Sequence, residues 1–389
     1  MAAARDGRRR AGRGGLAHRL AVLASAIGAA LAAAATLAAP AQSPVTAAPV
    51  VRHIFLIVLE NESYAQTFGA RSPAAYLAHT LPSAGLLLRR YYAIGHNSLD
   101  NYLALVSGQA PNEDTQGDCL RYSDFQLRAP TLDAAGQALG RGCVYPRLVP
   151  SLADQLEAAG LTWKGYMEDM GNDARRERRT CGHAPLGGLD GTELAERGDQ
   201  YAAKHDPFVY FHAIIDDRAR CDAHVVNLDR LPRDLASAAT TPNYVFITPN
   251  LCHDGHDAPC VDGEPGGLIS ADAFLRRWVP LIVASAAFRR DGLLIVTFDE
   301  SSAAGTEMAT ACCGERPLPG ARWPPGIFGP GGGRIGAVLL SPFIKPGQVS
   351  DVPFNHYALL RSIEQLYGLA PLGYAASPAL PTLARFLAR

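Results

Sequence analysis

Two apolar runs that each end in a pair of polar, oxygen-bearing side chains constrain this chain most. His53-Ile54-Phe55-Leu56-Ile57-Val58-Leu59 is followed by Glu60-Asn61, and Leu293-Leu294-Ile295-Val296-Thr297-Phe298 by Asp299-Glu300. Runs of this length, rich in β-branched and large apolar residues, predict strands buried on both faces. Side chains just past the carboxyl ends of such strands project where open α/β sheets place their ligand sites. Two strand ends carrying hard oxygen ligands predict a shared cation between them. The simpler reading of either end alone is a loop or helix-capping acid. It is the two together that point to chemistry.

Around these runs, strands and helices alternate. Ser98 opens a helical stretch closed by Ser107-Gly108, and Ser151 caps another that stops at Gly160. Residues 161–167, 207–215, 243–248 and 335–340 read as further strands. Residues 271–285 read as a helix opened by Ser270, which Pro280 should kink or break. Residues 356–367 form an amphipathic helix ended by Gly368. Alternation of this kind predicts an α/β fold, a mostly parallel sheet covered by helices on both faces. Long polar loops interrupt it at 109–150, 168–206, 250–269 and 301–334, lengths that usually mark functional or disulfide-stapled segments.

The first 41 residues read differently. Six arginines precede an alanine- and leucine-rich stretch over residues 20–39, and Ala39-Pro40-Ala41 offers a small-residue cleavage site. This is the layout of a secretory signal peptide. The stretch is long enough to span a bilayer, so an uncleaved anchor is the alternative. Export through a twin-arginine route also fits the arginine cluster, although the full motif is missing. Residues 42–50 read as a short tether, and 51–389, with no repeat or internal linker, as a single domain. Without the six arginines and one aspartate of residues 1–41 the chain is mildly acidic, with three lysines and no basic stripe. Such a protein is not built to hold nucleic acid by neutralising phosphates. No second long apolar segment follows, so no stable membrane insertion is expected once the signal is cleaved.

Eight cysteines in an exported chain predict disulfides. Cys252 with Cys260, and Cys119 with Cys143, are near enough in sequence to staple their loops. The absence of any C-x-x-C pair speaks against zinc.

Three segments carry further candidates. Ser98 sits at a probable helix start, where backbone N–H groups favour an anion and a bound cation would activate the hydroxyl. A plain N-cap serine is the simpler reading. Asn250-Leu251-Cys252-His253-Asp254-Gly255-His256-Asp257 holds two His-Asp pairs that could grip phosphoryl oxygens, donate a proton to a leaving group or bind metal. The alternative is an ordinary polar loop. Asn355-His356 opens the last helix, where a histidine is more often a cap than a catalyst. There is no G-x-S-x-G elbow, no Walker loop and no G-x-G-x-x-G after a strand.

Taken together, Leu59-Glu60-Asn61-Glu62-Ser63-Tyr64, His96-Asn97-Ser98-Leu99-Asp100-Asn101-Tyr102, Thr248-Pro249-Asn250 through Asp257, Phe298-Asp299-Glu300 and Asn355-His356-Tyr357 resemble the phosphoesterase family of the alkaline-phosphatase superfamily. That family includes secreted bacterial acid phosphatases and non-specific phospholipases C, and the length of this chain is similar to the compact secreted acid phosphatases, some of which act on phosphoinositides. The resemblance implies an alkaline-phosphatase-like fold and an exported, metal-dependent phosphomonoesterase. It makes Ser98 the nucleophile that becomes phosphorylated. Glu60, Asn61, Ser98, Asp299 and Glu300 would hold one divalent ion, with Mg, Ca, Mn or Zn all open. His256 and His253 would grip the phosphate, and Asp254, Asp257 and His356 are supporting candidates. Asn97 and Asp100 stand where many relatives have proline. A phospholipase C that releases phosphorylated head groups, and a non-catalytic exported binding protein on a degenerate phosphatase fold, are the alternatives.

Overall fold

The computed structural model describes residues 50–387. The expected signal peptide, and all but the last residue of the expected tether, lie outside them.

The apolar runs form the expected strands. β1 (His53–Leu59) and β6 (Gly292–Phe298) lie side by side in parallel, His53 opposite Gly292 and Leu59 opposite Phe298. Every residue of both strands is buried, which explains why neither shows an apolar–polar alternation. β2 (Leu86–Leu88), β3 (Trp163–Met167), β4 (Val225–Asn227), β5 (Tyr244–Thr248), β7 (Ala337–Leu340) and β8 (Gln348–Ser350) complete an eight-stranded sheet. Its order is β8-β2-β7-β6-β1-β5-β3-β4. Only β7 runs against the others, antiparallel to both β6 and β2.

Register shows that both faces are covered. Phe55 pairs with Val245 and Leu56 with Phe246, so Phe55 and Phe246 point to opposite faces. Phe55 packs on Phe288 of the helix Ala286–Asp291, with ring centroids 6.4 Å apart. Phe246 packs on Tyr102 of helix α1 (Ser98–Ser107) at 6.3 Å, and on Phe208 at 5.4 Å.

Two local expectations give way. The helix Gly267–Ala284 starts earlier than predicted and runs through Pro280 without stopping. Residues 207–215 form no strand. They make a 3-10 turn at Pro207–Tyr210 and a short helix at His212–Ile215, because Pro207 presets the first helical position and the Asp206 carboxylate accepts the Phe208 N–H. An apolar run of that length fits either state on pattern alone.

Three of the four long loops are stapled, and the fourth carries only a bond between adjacent cysteines. Cys119 is bonded to Cys143, Cys181 to Cys221, Cys252 to Cys260 and Cys312 to its neighbour Cys313. Among the described residues no helix is long and apolar enough to cross a membrane.

Candidate active site

β1 and β6 end at the same level, and their terminal residues interlock. The Asp299 N–H donates to the Leu59 carbonyl (2.8 Å), continuing the ladder one step beyond the strands. Asn61 then turns into the left-handed region, φ 54°. That conformation costs on the order of 1 kcal/mol for a residue with a Cβ. It lets the Asn61 N–H reach the Asp299 carboxylate (3.1 Å) while its side chain reaches Glu60 (3.3 Å).

Ser98 does not cap its helix. Asn97 holds the cap position at φ 69°, and its own side chain donates to the Gln116 carbonyl instead of to the helix. The exposed Leu99 N–H is taken by the Asp118 carboxylate (3.0 Å). Ser98 is thereby the first helical residue, and its hydroxyl is free to donate to Glu60 Oε2 (2.8 Å). The other Glu60 oxygen accepts from the Tyr102 hydroxyl, one turn further along the same helix (2.8 Å). The expected anion site at this helix start is therefore partly filled by Asp118.

Glu60, Asn61, Asn97, Ser98, Asp118 and Glu300 line a cavity of about 330 Å³, together with His96, Lys204, His205, His256 and Phe328. A wider groove of about 600 Å³ lies beyond Asp118, lined by Glu113, Arg121, Arg141 and Leu186, and receives none of the strand-end acids.

Uncompensated negative charge dominates the floor. Glu60, Asp254, Asp299 and Glu300 are all buried. Burial pushes the Glu60 carboxyl well up from its ordinary range, and neighbouring Asp299 and Asp254 push it further. Burial and then Asp299 do the same to Glu300. Asp299 is raised by burial although the Asn61 N–H, Glu60 and Ser98 beside it pull the other way. Its Oδ2 makes no hydrogen bond, nor does Asp254 Oδ2. Asp100, behind the floor, has both carboxyl oxygens unpaired. Orphaned buried carboxylate oxygens around a hydroxyl and an amide are a hard donor set suited to a divalent cation. Residues Glu60, Asn61, Ser98, Asp299 and Glu300 therefore fit the predicted metal. Tighter clusters, with three His, Cys or carboxylate ligand atoms within 4.8 Å, occur among the described residues only at Cys252–His253–Glu264, Cys252–Cys260–Asp262 and Cys312–Cys313–Glu315. Each of those uses sulfurs already spent in disulfides.

The histidines separate by environment. His256 is exposed at the cavity mouth and is paired with Asp257 (3.3 Å), whose hydrogen bond raises its pKa. Asp254 Oδ1 fixes the turn by accepting the His256 N–H (2.9 Å). His253 points away from the cavity. It is held by Glu168 (2.9 Å) and Glu264 (3.3 Å), which outweigh its burial and raise its pKa to about 9. His356 is fully buried, Nε2 donating to the Asp299 carbonyl (2.5 Å) and Nδ1 accepting from the Tyr91 hydroxyl (3.1 Å). Burial drives its pKa down to about 4, so it is a neutral strut under the end of β6.

Four cavity residues went unassigned in the sequence. His96 bonds Glu300 on one side and the Met308 carbonyl on the other. His205 lies 3.3 Å from Glu60 and 3.8 Å from Asp254, yet neither ring nitrogen makes a hydrogen bond. Its ring stacks on Tyr102 (5.3 Å, 16°), and burial keeps it neutral. Asp118 and Lys204 are ion-paired at 3.2 Å. The available signal was Lys204-His205-Asp206-Pro207, one of only three lysines beside a histidine just before an apolar run.

Residues 72–370 match the family described as the phosphoesterase family. The chain belongs to that family. This phosphoesterase-family chain is 25% identical over 348 residues to a probable acid phosphatase of Kluyveromyces lactis, covering 88% of this chain and 64% of that protein. It is 25% identical over 332 residues to the phosphatidylinositol-3-phosphatase of Mycobacterium tuberculosis, covering 85% of this chain and 82% of that one. It thus spans just under two thirds of the yeast relative and most of the mycobacterial one. Among solved structures it is similar to a protein in the alkaline phosphatase superfamily from Vibrio parahaemolyticus, at 10% identity and a TM-score of 0.49 over 85% of this chain and 72% of that chain.

Proposed function

We propose that this chain is an exported, metal-dependent phosphomonoesterase that works through a phosphoserine at Ser98. The observation that carries the reading is the Ser98 hydroxyl. It is released from helix capping and bonded to Glu60, over a floor of buried acids with orphaned oxygens. Glu60, Asn61, Ser98, Asp299 and Glu300 would hold one divalent ion. When bound, that ion lowers the pKa of the serine hydroxyl and neutralises developing charge on the phosphoryl oxygens.

The chain's own residues do the rest. Glu60 orients the Ser98 hydroxyl, takes its proton as the oxygen attacks phosphorus and returns it when water releases the phosphate, while Tyr102 holds Glu60 by its other oxygen. Asn61 ties Glu60 to Asp299. His256, whose pKa Asp257 raises, hydrogen-bonds the phosphoryl group at the mouth, protonates the leaving alcohol and then takes a proton from the water that hydrolyses the phosphoserine. Its exposure gives leaving groups of varied size room to depart. His205, neutral and stacked on Tyr102, stands between Glu60 and Asp254. Four disulfides fit export. Small phosphate esters are the substrate class, phosphoinositides among them.

The test is phosphate release from a panel that includes p-nitrophenyl phosphate and p-nitrophenyl phosphorylcholine, with metal content measured on the same preparation. Monoester turnover with about one bound divalent ion is expected. Ser98→Ala should fold normally and lose about four or more orders of magnitude in kcat, as nucleophile removal does. Near-normal turnover in that variant overturns the reading. Preferential cleavage of the phosphorylcholine ester would make the protein a phospholipase C instead.

A further inference from the structure

Lys204 is an unusual side chain for its place. It is one of three lysines in the chain, its side chain is 14% exposed, and it lines the same cavity as Glu60, Ser98 and His256. Two of its three ammonium protons go to Asp118 Oδ2 (3.2 Å) and Glu193 Oε1 (2.9 Å). Burial opposes the charge, but these two carboxylates outweigh it and hold the ammonium protonated. Asp118 is itself fixed, because its other oxygen accepts the Leu99 N–H. A chain of three polar groups therefore sets the distance from the lysine to the residue next to Ser98. The field of Lys204 reaches both the floor acids Glu60, Glu300 and Asp254 and the wall histidines His205 and His256.

We propose that Lys204 is the fixed cation that takes a non-bridging oxygen of the bound phosphoryl group and makes the cavity favour dianionic phosphomonoesters over monoanionic diesters. The inference rests on the phosphomonoesterase reading. A metal at the floor can balance only part of the charge that a dianion brings beside Glu60, Asp299 and Glu300. His256 is exposed and loses its charge as pH rises, whereas Lys204 does not. It is also anchored, so it can contact a charged oxygen without first being ordered. A buried ion pair that merely neutralises Asp118 is the competing role, and selectivity separates the two.

The experiment uses the metal-loaded protein with Lys204→Met, Lys204→Arg and the charge-balanced double variant Lys204→Met/Glu193→Gln. Rates are read on p-nitrophenyl phosphate and on bis(p-nitrophenyl) phosphate. Loss of one preorganised donor to a phosphoryl oxygen costs about 10²- to 10³-fold. We expect that loss in kcat/KM for the monoester with Lys204→Met and with the double variant, about tenfold or less for the diester, and partial recovery with Lys204→Arg. Inorganic phosphate is titrated separately into Ser98→Ala carrying each change, so that affinity is read without turnover. It should weaken in step with monoester kcat/KM. Equal losses on both esters, or unchanged phosphate affinity, overturn the proposal. If the single variant does not fold, the double variant decides. A wild-type protein that cleaves neither ester would instead defeat the phosphomonoesterase reading, and phosphate affinity alone would then judge Lys204.

Discussion

The floor and the wall of the cavity are built on opposite principles. The floor is the sheet: Glu60 and Asn61 at the end of β1, Asp299 and Glu300 at the end of β6, locked by ladder hydrogen bonds and braced from below by His356. It is rigid, nearly dry and crowded with acids that burial drives toward neutrality. The wall is made of loops: Asp118 and Lys204 from separate segments, His256 from a disulfide-closed turn, Phe328 from the loop 301–334. It is wetter and carries the cationic groups. A site of this kind puts its positive demand below and its positive supply above, with Ser98 between them. What the contrast teaches is that the sheet sets the acids by its ladder, while the loops need disulfides and ion pairs to set their cations.

The most severe way to break that contrast is at the floor. Asp299→Ala should lose bound metal and about three or more orders of magnitude in kcat together, with elemental analysis and turnover measured on one sample. Full metal content with lost activity would give Asp299 another role. At the wall, His256→Ala should cost about 10²- to 10³-fold in kcat/KM, as loss of a general acid does, whereas His253→Ala should cost less than about tenfold because its ring is tied up by Glu168 and Glu264. Equal effects would mean that the turn reorganises around bound substrate. The Asp257→Asn variant sharpens the same point. Asp257 raises the His256 pKa, so its removal should move the alkaline limb of the pH–rate profile to lower pH.

Opening Cys252–Cys260 should be gentler. Closing so short a loop contributes on the order of 2–3 kcal/mol, and its ordering serves mainly to position His256. Cys252→Ser/Cys260→Ser should lower kcat/KM at temperatures where circular dichroism still reports a folded protein. The smallest effect is a pH dependence away from the cavity. Burial pushes Glu177 up to about 8, and neighbouring Asp199 adds to it. A folded pKa above the ordinary value of 4.5 stabilises fully below that value, and the gain is lost as pH rises through about 8. Glu177→Gln should therefore show a smaller fall in melting temperature between pH 5 and pH 8 than the wild type, by a few degrees at most.

The same division explains what the sequence could disclose. Glu60, Asn61, Asp299 and Glu300 were legible because a doubly buried strand leaves an unbroken apolar run, and the run's end marks a fixed place in the sheet. Ser98 was legible as a helix start, although not as a residue excused from capping. That depends on Asn97 adopting φ 69° and on Asp118, twenty residues along, reaching Leu99. His205 and Lys204 had no periodicity to announce them. They are delivered by a 3-10 turn, and their meaning lies in partners distant in sequence. His253 and His256 look equivalent in the sequence, since each precedes an aspartate. Only packing against Glu168 and Glu264 sends one of them out of the cavity.

The left-handed turn at Asn97 has one more consequence. Because Asn97 holds the cap position and the distant Asp118 carboxylate takes the Leu99 N–H, the helix backbone asks nothing of the side chain at 98. Alanine at that position should leave folding little changed, its main cost being the lost hydroxyl donor to Glu60. If Ser98 is the nucleophile proposed above, Ser98→Ala should keep its native cavity without turnover, and such a form would retain whatever ester it captures long enough for the natural substrate to be recovered and weighed.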